Sequence, residues 1–497
     1  MEIAMKGLGH FLVVAAAIMA CAADWPMLGR TGDRNPVSLE KNAPLDWRIQ
    51  TDTTPSRNIK WSVKVESGSR AIGGPVVSGG YVWVGSTDND PDLKVDNAVL
   101  ACFRVADGKL MYRHVSPRLP KFPDDWPGQS LSGSPLIEAD RLWFCNNRRE
   151  VICLDLAPLH NGTGLPREVW KIDMIARFKI HPRAMMIPGH DTHGSPAEHK
   201  DFLYIPTGNS MGEPGVTVVD PKAPELLCLR KDSGKVVWTD NSPGKEKMLG
   251  HYASPTVVSI SGVAQVIHPQ SDGWVRSFDA ETGKLIWKFD SNRKTPSGKF
   301  NGGDLDTELN SVVATPVHAN GRIYFATGRD PETNYAPGRL FCVDPTKKGD
   351  ISPDLLDDTK ELKSKPNPNS GVVWQFDGKD LKEAERMHLS MSSVAIHDGL
   401  VISADGYGVV HCLEERTGKP YWVHVLKAPG HGNPLVVDGK IYVASDSGDV
   451  HILEFSKTKK LLAKHEMDAS MIAPPVFANG VLYILSERSL TAIFQKR

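Results

Sequence analysis

The sequence has almost no net charge. Its 58 lysine and arginine residues are matched by 59 aspartate and glutamate residues, which gives a formal net charge of −1 over 497 residues. A protein that binds nucleic acid or an anionic membrane through charge needs a basic face. The balance therefore argues against a nucleic-acid partner and against broad electrostatic attachment to a membrane.

Long hydrophobic runs are scarce as well. The one long run covers residues 8–20, follows Lys6 and is followed by small residues. This length suits the core of a signal peptide and is short for a transmembrane helix. We therefore predict a signal peptide over residues 1–23 and an exported protein that is periplasmic, associated with the cell envelope or secreted.

Cys21 leaves two ways of processing this segment open. The residue follows Ile18-Met19-Ala20, where a lipoprotein cysteine would stand, so a lipid anchor is one alternative. Plain cleavage beside Ala22 is the other, because Ala20 and Ala22 form a small-x-small site. A lipid on Cys21 is the only contact with a membrane that the sequence predicts.

Cysteines are few beyond this segment, and five of the remaining six occupy the same place in a local apolar pattern. Each of the five belongs to a different copy of a repeat, so we expect them to be too far apart for disulfide bonds. They should be buried as small apolar side chains. They are Cys102, Cys153, Cys228, Cys342 and Cys412.

Turn-forming residues are the abundant class, with 44 glycines and 36 prolines, and this abundance indicates many short elements. Eight similar turn segments recur along the chain. The shortest spacing between them is about 41 residues, the length of a four-stranded propeller blade. The eight segments begin at Gly73, Gly133, Gly194, Ala253, Ala314, Met391, Gly432 and Ala473.

Each copy continues with short strands and, in most copies, a Gly-Lys turn followed by an aromatic residue, as in Glu281–Lys284 and Trp287. We expect these aromatic residues to pack one blade against the next. The last copy lacks the aromatic strand, and an orphan one, Asn58–Val63, precedes the first copy. Pairing the two ends would close a ring without an unpaired edge.

We therefore predict an all-β protein with a single eight-bladed β-propeller of four-stranded blades over residues 58–497. The ring is closed by an N-terminal strand that pairs with the C-terminal blade. Residues 24–57 would form a lead-in that lies against the ring. The charged, proline-rich insertion at 346–370 is expected to be a mobile excursion between strands.

The repeated acidic-x-Thr/Ser-Gly-Lys-x-x-Trp unit resembles the repeat of the pyrroloquinoline-quinone (PQQ) propellers. That superfamily includes quinoprotein alcohol dehydrogenases and the BamB-type scaffold lipoproteins of outer-membrane assembly. The resemblance covers residues 59–494. It implies either a scaffold without catalysis or an enzyme that uses PQQ and calcium.

The segment Phe202–Asn209 resembles the dehydrogenase blade that holds a calcium-ligating asparagine, which would be Asn209. Other segments depart from the dehydrogenase pattern. The chain has no vicinal cysteine pair and no Cys-x-x-Cys-His haem site. Asn146–Glu150 stands where the calcium glutamate is expected, and Lys247–His251 where the catalytic aspartate is expected. The resemblance thus leaves the catalytic residues unknown and PQQ and calcium as candidate cofactors only.

Polar residues precede the first strand of several blades, and these segments converge on one mouth of a propeller channel. His190 and His193 lie on one loop, and two spaced histidines make them candidates for a metal, whereas Asn209 is a metal candidate only through the resemblance. A hydrated polar channel lining and a pocket for a small molecule or a peptide are the alternative interpretations. With Asn209, the candidates for binding a cofactor are Arg70, His251, Glu308, Asn310, His388 and His431.

We expect an exported PQQ-like β-propeller that acts as a non-catalytic binding or scaffold protein. Its ligand would sit at the channel mouth, the partner would be an envelope protein, a peptide or a glycan, and the chain would be a monomer. The alternative is a PQQ- and calcium-dependent quinoprotein oxidoreductase acting on alcohols or sugars. No nucleophile motif, phosphate loop or His-Glu-x-x-His site supports other chemistry.

Overall fold

A computed structural model describes most of the chain, and nearly all of its elements are strands. Its helical elements are Ala157–His160, Met174–Phe178 and the 3-10 turn Glu383–Glu385. The described residues are 23–65, 73–90, 95–117, 119, 131, 133–180, 194–209, 211–212, 217–218, 220–246, 253–292, 312–328, 338–356 and 364–496.

Eight antiparallel sheets of four strands form an eight-bladed propeller, which confirms the predicted fold class. The strands of each blade are called A to D from the first strand of the sheet to the last. The strands of blade 1 are Val76–Ser78, Tyr81–Asp90, Val95–Arg104 and Leu110–Ser116; of blade 2, Leu136–Glu138, Arg141–Cys145, Glu150–Asp155 and Arg167–Asp173; of blade 3, Ala197–His199, Phe202–Pro206, Leu226–Arg230 and Val236–Asp240; of blade 4, Thr256–Ile260, Val263–Pro269, Trp274–Asp279 and Leu285–Asp290.

The remaining four blades follow the same order. The strands of blade 5 are Val317–Ala319, Arg322–Ala326, Leu340–Val343 and Val372–Phe376; of blade 6, Ala395–His397, Leu400–Ala404, Val409–Glu414 and Pro420–Val425; of blade 7, Leu435–Val437, Lys440–Ala444, Asp449–Glu454 and Leu461–Glu466; of blade 8, Val476–Ala478, Val481–Leu485, Ser489–Phe494 and Ile59–Lys64. Further short strands are Val37–Ser38, Met211–Gly212, Thr217–Val218, Gly349–Asp350, Asp354–Leu356 and Ser364–Pro366.

The ring closes as predicted, by pairing of an N-terminal strand with the last blade. Ile59–Lys64 runs antiparallel to Ser489–Phe494, with Trp61 opposite Ala492 and Ser62 opposite Thr491. Blade 8 thereby obtains its fourth strand from the other end of the chain. This pairing covers an edge that would otherwise remain open.

The blade topology separates the connections between strands into two groups. Neighbouring A strands contact one another and surround the central channel. Because the strands of a blade are antiparallel, the D–A and B–C connections lie at one end of the channel, here called the loop end. The A–B and C–D turns lie at the opposite end, here called the turn end.

Tryptophan side chains join blades to their neighbours, as the repeat predicts. The indole Nε1–H of Trp238 in blade 3 donates to the carbonyl of Ala280 in blade 4 at 3.1 Å. The ring packs on Gly283, where a Cβ atom would come within 2.6 Å of the indole and φ is +70°, so glycine suits this position. Trp61, Trp170, Trp374 and Trp422 donate in the same way to Val105, Lys231, Glu415 and Ser456 of the following blade.

The cysteines from Cys102 to Cys412 are free and buried, which confirms the prediction made from their spacing. Cys228 shows the reason, because it lies in strand C between Tyr204 of strand B and Trp238 of strand D. Burial raises the pKa of the Cys228 thiol to about 12. Such a thiol stays protonated at neutral pH and is a poor nucleophile.

Residues 24–43 form a strap that follows the inner edges of the blades. Trp25 makes an antiparallel bridge with Val77 in strand A of blade 1. Val37–Ser38 adds a parallel strand to strand A of blade 7. The strap therefore hydrogen-bonds with edges that strands A would otherwise present to the channel.

The chain after the strap replaces a turn that blade 8 lacks. In blade 3, the Tyr204 hydroxyl donates to the carbonyl of Ala280 in the C–D turn of the next blade at 3.0 Å. Tyr442 occupies the matching place in blade 7, and its hydroxyl donates to the carbonyl of Pro44 at 2.7 Å. Trp47 is buried in the same cluster. The lead-in thus supplies the inter-blade contact where the two ends of the ring meet.

The described parts of the insertion in blade 5, residues 346–356 and 364–370, pack against the ring and differ from the mobile excursion that the composition predicts. Gly349–Asp350 pairs in parallel with strand D of blade 4, and Ile351 is fully buried there. The Asp290 N–H of blade 4 donates to the Ser352 hydroxyl at 2.8 Å. Ile351 packs against the outer strand of blade 4. It is a single apolar residue among charged neighbours, so the overall charge of the segment conceals its burial.

Candidate binding site at the loop end of the channel

The structure describes three of the site residues that the sequence singles out. Asn209 lies in the B–C connection of blade 3, and His388 and His431 lie in the D–A connections that lead into blades 6 and 7. All three are therefore at the loop end. The other candidates, Arg70, His190, His193, His251, Glu308 and Asn310, lie outside the described residues.

The B–C turn of blade 6 is built around a buried carboxylate. Asp405 is fully buried, and its Oδ1 accepts hydrogen bonds from the N–H groups of Tyr407 at 3.0 Å and Val409 at 2.8 Å. Its Oδ2 accepts the N–H of His388 at 2.9 Å. A buried carboxylate is tolerated when its oxygens are satisfied in this way. Asp405 therefore fixes the turn and ties the preceding connection to it.

The same carboxylate orients the imidazole of His388. Nδ1 of His388 lies 3.1 Å from Oδ2 of Asp405, and the ring of Tyr407 packs on the imidazole with centroids 4.6 Å apart. A carboxylate at Nδ1 favours the tautomer that carries its proton there, which leaves Nε2 as an acceptor. The His388 side chain is 24% exposed. It is thus held in one orientation and still reaches solvent.

A second histidine–aspartate pair lies in blade 7. Nε2 of His431 is 3.2 Å from Oδ2 of Asp446. The His431 ring also lies near the turn of blade 6, because a Cβ atom at Gly406 would be 4.0 Å from its Cε1. The two pairs therefore lie on neighbouring blades, on either side of one turn. We call the following side chains the His–Asp cluster: His388, Asp405, Tyr407, His431 and Asp446.

Hydroxyl groups of the turns before strands A link the blades around the channel. Ser134 of blade 2 donates through Oγ to the Gly74 carbonyl of blade 1 at 3.0 Å. Its N–H donates to Oγ of Ser195 in blade 3 at 2.9 Å. These hydrogen bonds hold the turns before strands A in fixed positions relative to one another. The pattern continues with the N–H groups of Ser195, Ser254 and Ser393, which donate to Ser254 Oγ, Thr315 Oγ1 and Asn433 Oδ1.

Asp405, Tyr407 and Asp446 are not among the site residues that the sequence predicts. A usable signal was present, because polar residues beside glycine recur in the B–C turns Asp405–Gly408 and Ser445–Gly448. Antiparallel strands bring the B–C turns to the same end as the D–A connections. The carboxylates in those turns therefore predict the partners of both histidines.

Asn209 has a supporting role in its own loop. Its side chain is only 2% exposed, and Nδ2 donates to the carbonyl of Ala223 at 3.2 Å. Its N–H donates to the Thr207 hydroxyl at 3.1 Å, and the Thr207 carbonyl accepts a hydrogen bond from Arg149 of blade 2 at 3.3 Å. The amide of Asn209 thus helps to hold the B–C connection of blade 3.

Blades 3 and 4 are also joined by buried polar groups at the loop end. Glu225 of blade 3 is fully buried and accepts a hydrogen bond from the Ser271 N–H of blade 4 at 3.0 Å. In the same turn, Asp272 and Arg276 form an ion pair at 2.6 Å. Burial raises the pKa of Asp272, and Arg276 opposes that rise. This network stabilises one arrangement of the two B–C connections.

The described residues do not fit a centre that holds PQQ and calcium. Glu150 belongs to the turn that stands at the place of the calcium glutamate, and it accepts a hydrogen bond from Asn146 at 2.7 Å and pairs with Lys171 at 3.5 Å. The hydrogen bond of Asn209 to Ala223 uses the Nδ2 group, whereas a calcium ion would be ligated by Oδ1, so this contact does not decide the question. Across the part of the chain that the structure describes, no three His, Cys, Asp or Glu side chains gather as a metal site.

Comparison with known proteins confirms the resemblance to the PQQ-like β-propeller superfamily. Residues 364–470 match a family model described as outer membrane protein assembly factor BamB. This segment contains the whole of blades 6 and 7, and with them the His–Asp cluster. The superfamily includes both an assembly factor and dehydrogenases among the proteins that this chain resembles.

Two curated relatives and one solved structure illustrate the two kinds of protein that this chain resembles, the assembly factor and the dehydrogenases. The chain is 35% identical over 104 residues to the dehydrogenase subunit of a quinone alcohol dehydrogenase from Gluconobacter oxydans (strain 621H), over 19% of this chain and 14% of that protein. It is 24% identical over 222 residues to BamB of Legionella pneumophila (strain Paris), over 44% of this chain and 45% of that protein.

The solved structure is the quinohemoprotein alcohol dehydrogenase from Comamonas testosteroni. It has 13% sequence identity and a TM-score of 0.61, and the match covers 97% of this chain and 84% of that one. At this identity the match shows the fold alone. The matches to the curated relatives span less than half of their length, so activity and partners are matters for proposal.

Proposed function

We propose that the protein is an exported, non-catalytic propeller that binds a partner at the loop end of its channel. The His–Asp cluster carries this proposal, because His388 and His431 are each held by an aspartate at a partly exposed position. The cluster lies wholly within the segment 364–470, which matches the BamB family model. The segment that matches the BamB family model therefore carries the oriented polar side chains.

The cluster suits recognition because its side chains are oriented before a partner arrives. Side chains with fixed rotamers lose little conformational entropy on binding. Tyr407 adds an aromatic face with a hydroxyl group, and tyrosine is enriched among residues that dominate binding energy. Imidazole, carboxylate and phenol groups together can hydrogen-bond a polypeptide. We therefore propose a protein or peptide of the cell envelope as the partner, with a glycan as the alternative.

The proposed location is the cell envelope, with the protein acting as a monomer. The hydrophobic run at 8–20 supports export, and the Legionella relative is by its name an outer-membrane assembly factor. A lipid anchor at Cys21 and plain cleavage remain the two alternatives for the N-terminus. Within the described residues, no helix is both long enough and apolar enough to cross a membrane.

A PQQ-dependent oxidoreductase is the second candidate, favoured by the 35% identity to a quinone alcohol dehydrogenase over 104 residues. The contacts of Glu150 with Asn146 and Lys171 weigh against it. PQQ and calcium ions should be added to the purified protein and its absorbance recorded, followed by dye reduction with alcohols and sugars. We expect no bound chromophore and no dye reduction. A stable chromophore with substrate-dependent dye reduction would replace the scaffold proposal.

The binding proposal has its own test. Wild-type protein, a His388→Gln/His431→Gln double variant and a His397→Gln control should each be used to capture partners from an envelope extract. His397 ends strand A of blade 6 and lies at the turn end. We expect wild type and control to enrich the same envelope proteins and the double variant to lose them. Equal enrichment by all three would remove the cluster from the binding site.

A further inference from the structure

The strap, residues 24–43, contacts every blade in order around the ring. Asp24 begins it at the turn end, where its carboxylate accepts hydrogen bonds from the Ser78 hydroxyl and the Gly79 N–H of blade 1, each at 3.1 Å. Glu40 lies near its end and accepts the Gly480 N–H of blade 8 at 2.8 Å. Between them, the carbonyls of Trp25, Pro26, Gly32, Asp33 and Pro36 accept hydrogen bonds from Val77, Ile137, Val257, His318 and Val436 in blades 1, 2, 4, 5 and 7.

Side chains supply the contacts to the two remaining blades. The amide of Asn35 donates to the carbonyl of Ile396 in blade 6 at 2.8 Å and accepts its N–H at 2.9 Å. Arg34 reaches blades 3 and 4, where Nη2 donates to the Pro196 carbonyl at 2.7 Å and Nε to the Pro255 carbonyl at 3.0 Å. The strap is therefore hydrogen-bonded to all eight blades, at strand A, at the A–B turn or, through Arg34, at the residue just before strand A.

Arg34 is the most deeply buried charged residue of the strap. Its side chain is 1% exposed, and its Nη1 donates to the carbonyl of Leu28, so that it also closes a loop within the strap. The residue has φ of +62°, a backbone conformation that is unfavourable for a non-glycine residue. Gly29 packs on it, because a Cβ atom there would lie 2.6 Å from the Arg34 main chain. A strained backbone and a buried cation both persist only where the surrounding contacts compensate for them.

We propose that the strap is a latch that fastens the inner edges of the eight blades to one another and that the Arg34 side chain is its pin. The contacts that hold the strap lie between the strap and the inner strands, whereas the outer strands of the blades do not use them. The strap can therefore open as a unit of its own while the ring stays folded.

Hydrogen exchange on the full chain tests this proposal. In the wild type, we expect the amides that donate to the strap, such as those of Val77, Ile137 and Val257, to be protected, but less than strand B amides, because the strap opens while the ring stays folded. Arg34→Met removes three charge-assisted hydrogen bonds and should speed exchange at these amides about 100-fold, with outer strands unchanged. Arg104→Met is the matched control, because Arg104 is an exposed arginine paired with Asp107 in a C–D turn.

Three results would overturn the proposal. They are fast exchange at the strap-facing amides of the wild type, unchanged exchange in Arg34→Met, and equal acceleration of all strands in that variant. If Arg34→Met does not fold, Asn35→Ala provides a milder test, since it removes only the contacts with Ile396. We then expect faster exchange at the neighbouring amides of His318 and Val436 as well as at Ile396, and acceleration confined to Ile396 would count against the latch.

Discussion

Nε2 of His424 lies 2.9 Å from Nδ1 of His451, across the seam between blades 6 and 7. Both rings are partly buried and meet nearly edge to face, with centroids 5.1 Å apart. Burial, together with the smaller effects of His451 and Lys459, lowers the pKa of His424 to about 4. Burial and Lys464 also lower the pKa of His451, whereas Asp449 opposes that change.

The lowered pKa values of these two histidines predict that the propeller becomes less stable in acid. A folded-state pKa below the unfolded value of about 6.5 means that the neutral form is favoured by folding. The neutral His424 side chain contributes its full stabilisation above about pH 6.5, and this stabilisation is lost as the pH falls towards 4. The free energy of unfolding should therefore decrease from pH 7 to pH 4.5, and His424→Gln should reduce the decrease. His397→Gln is the control, and an undiminished decrease in His424→Gln would contradict the prediction.

The seam between blades 3 and 4 allows a second prediction, on the packing of tryptophan over glycine. Gly283 has φ of +70° and Trp238 at 2.6 Å from a Cβ atom, whereas Gly262 has φ of +80° and nothing within 4 Å. Gly262→Ala should lower the free energy of unfolding by about 1 kcal/mol, the backbone cost alone. Gly283→Ala should cost about 2 kcal/mol more, because it displaces the indole. Equal costs in urea unfolding would show that the indole does not depend on Gly283.

The buried carboxylate of the cluster provides a third prediction. Asp405→Ala leaves the N–H groups of His388, Tyr407 and Val409 without their acceptor. We expect the free energy of unfolding to fall by about 3 kcal/mol, against no measurable change for the exposed Asp380→Ala. A small effect of Asp405→Ala would mean that the turn does not need the carboxylate and that His388 is oriented by other contacts.

The architecture could be predicted from the sequence because the same local signals recur in each copy. Gly283 and Trp238 belong to different copies, yet each copy has the same turn and the same aromatic strand, so one interpretation applied throughout the ring. The sequence predicts that Ile59–Lys64 belongs to blade 8, because the last copy lacks an aromatic strand and an unassigned one precedes the first copy. Repetition thus compensates for the weakness of each single signal.

The strap and the cluster could not be derived in this way, because they are not repeated. Arg34 looks like a surface residue in the sequence, and only the converging carbonyls of Pro196 and Pro255 make it a buried one. Ile351 was likewise hidden by charged neighbours. His388 was identified as a candidate from its place before blade 6, but its partner Asp405 lies in a different connection, and only the folded blade brings them together.

The most direct test of the account is crosslinking at two positions on opposite ends of the channel. A photoreactive phenylalanine analogue should replace Tyr407 at the loop end or Lys457 in the C–D turn of blade 7 at the turn end, and both proteins should be irradiated in intact cells. We predict a discrete product of higher mass from position 407 and none from position 457. Identical products from both positions, or none from position 407, would contradict a binding site at the loop end.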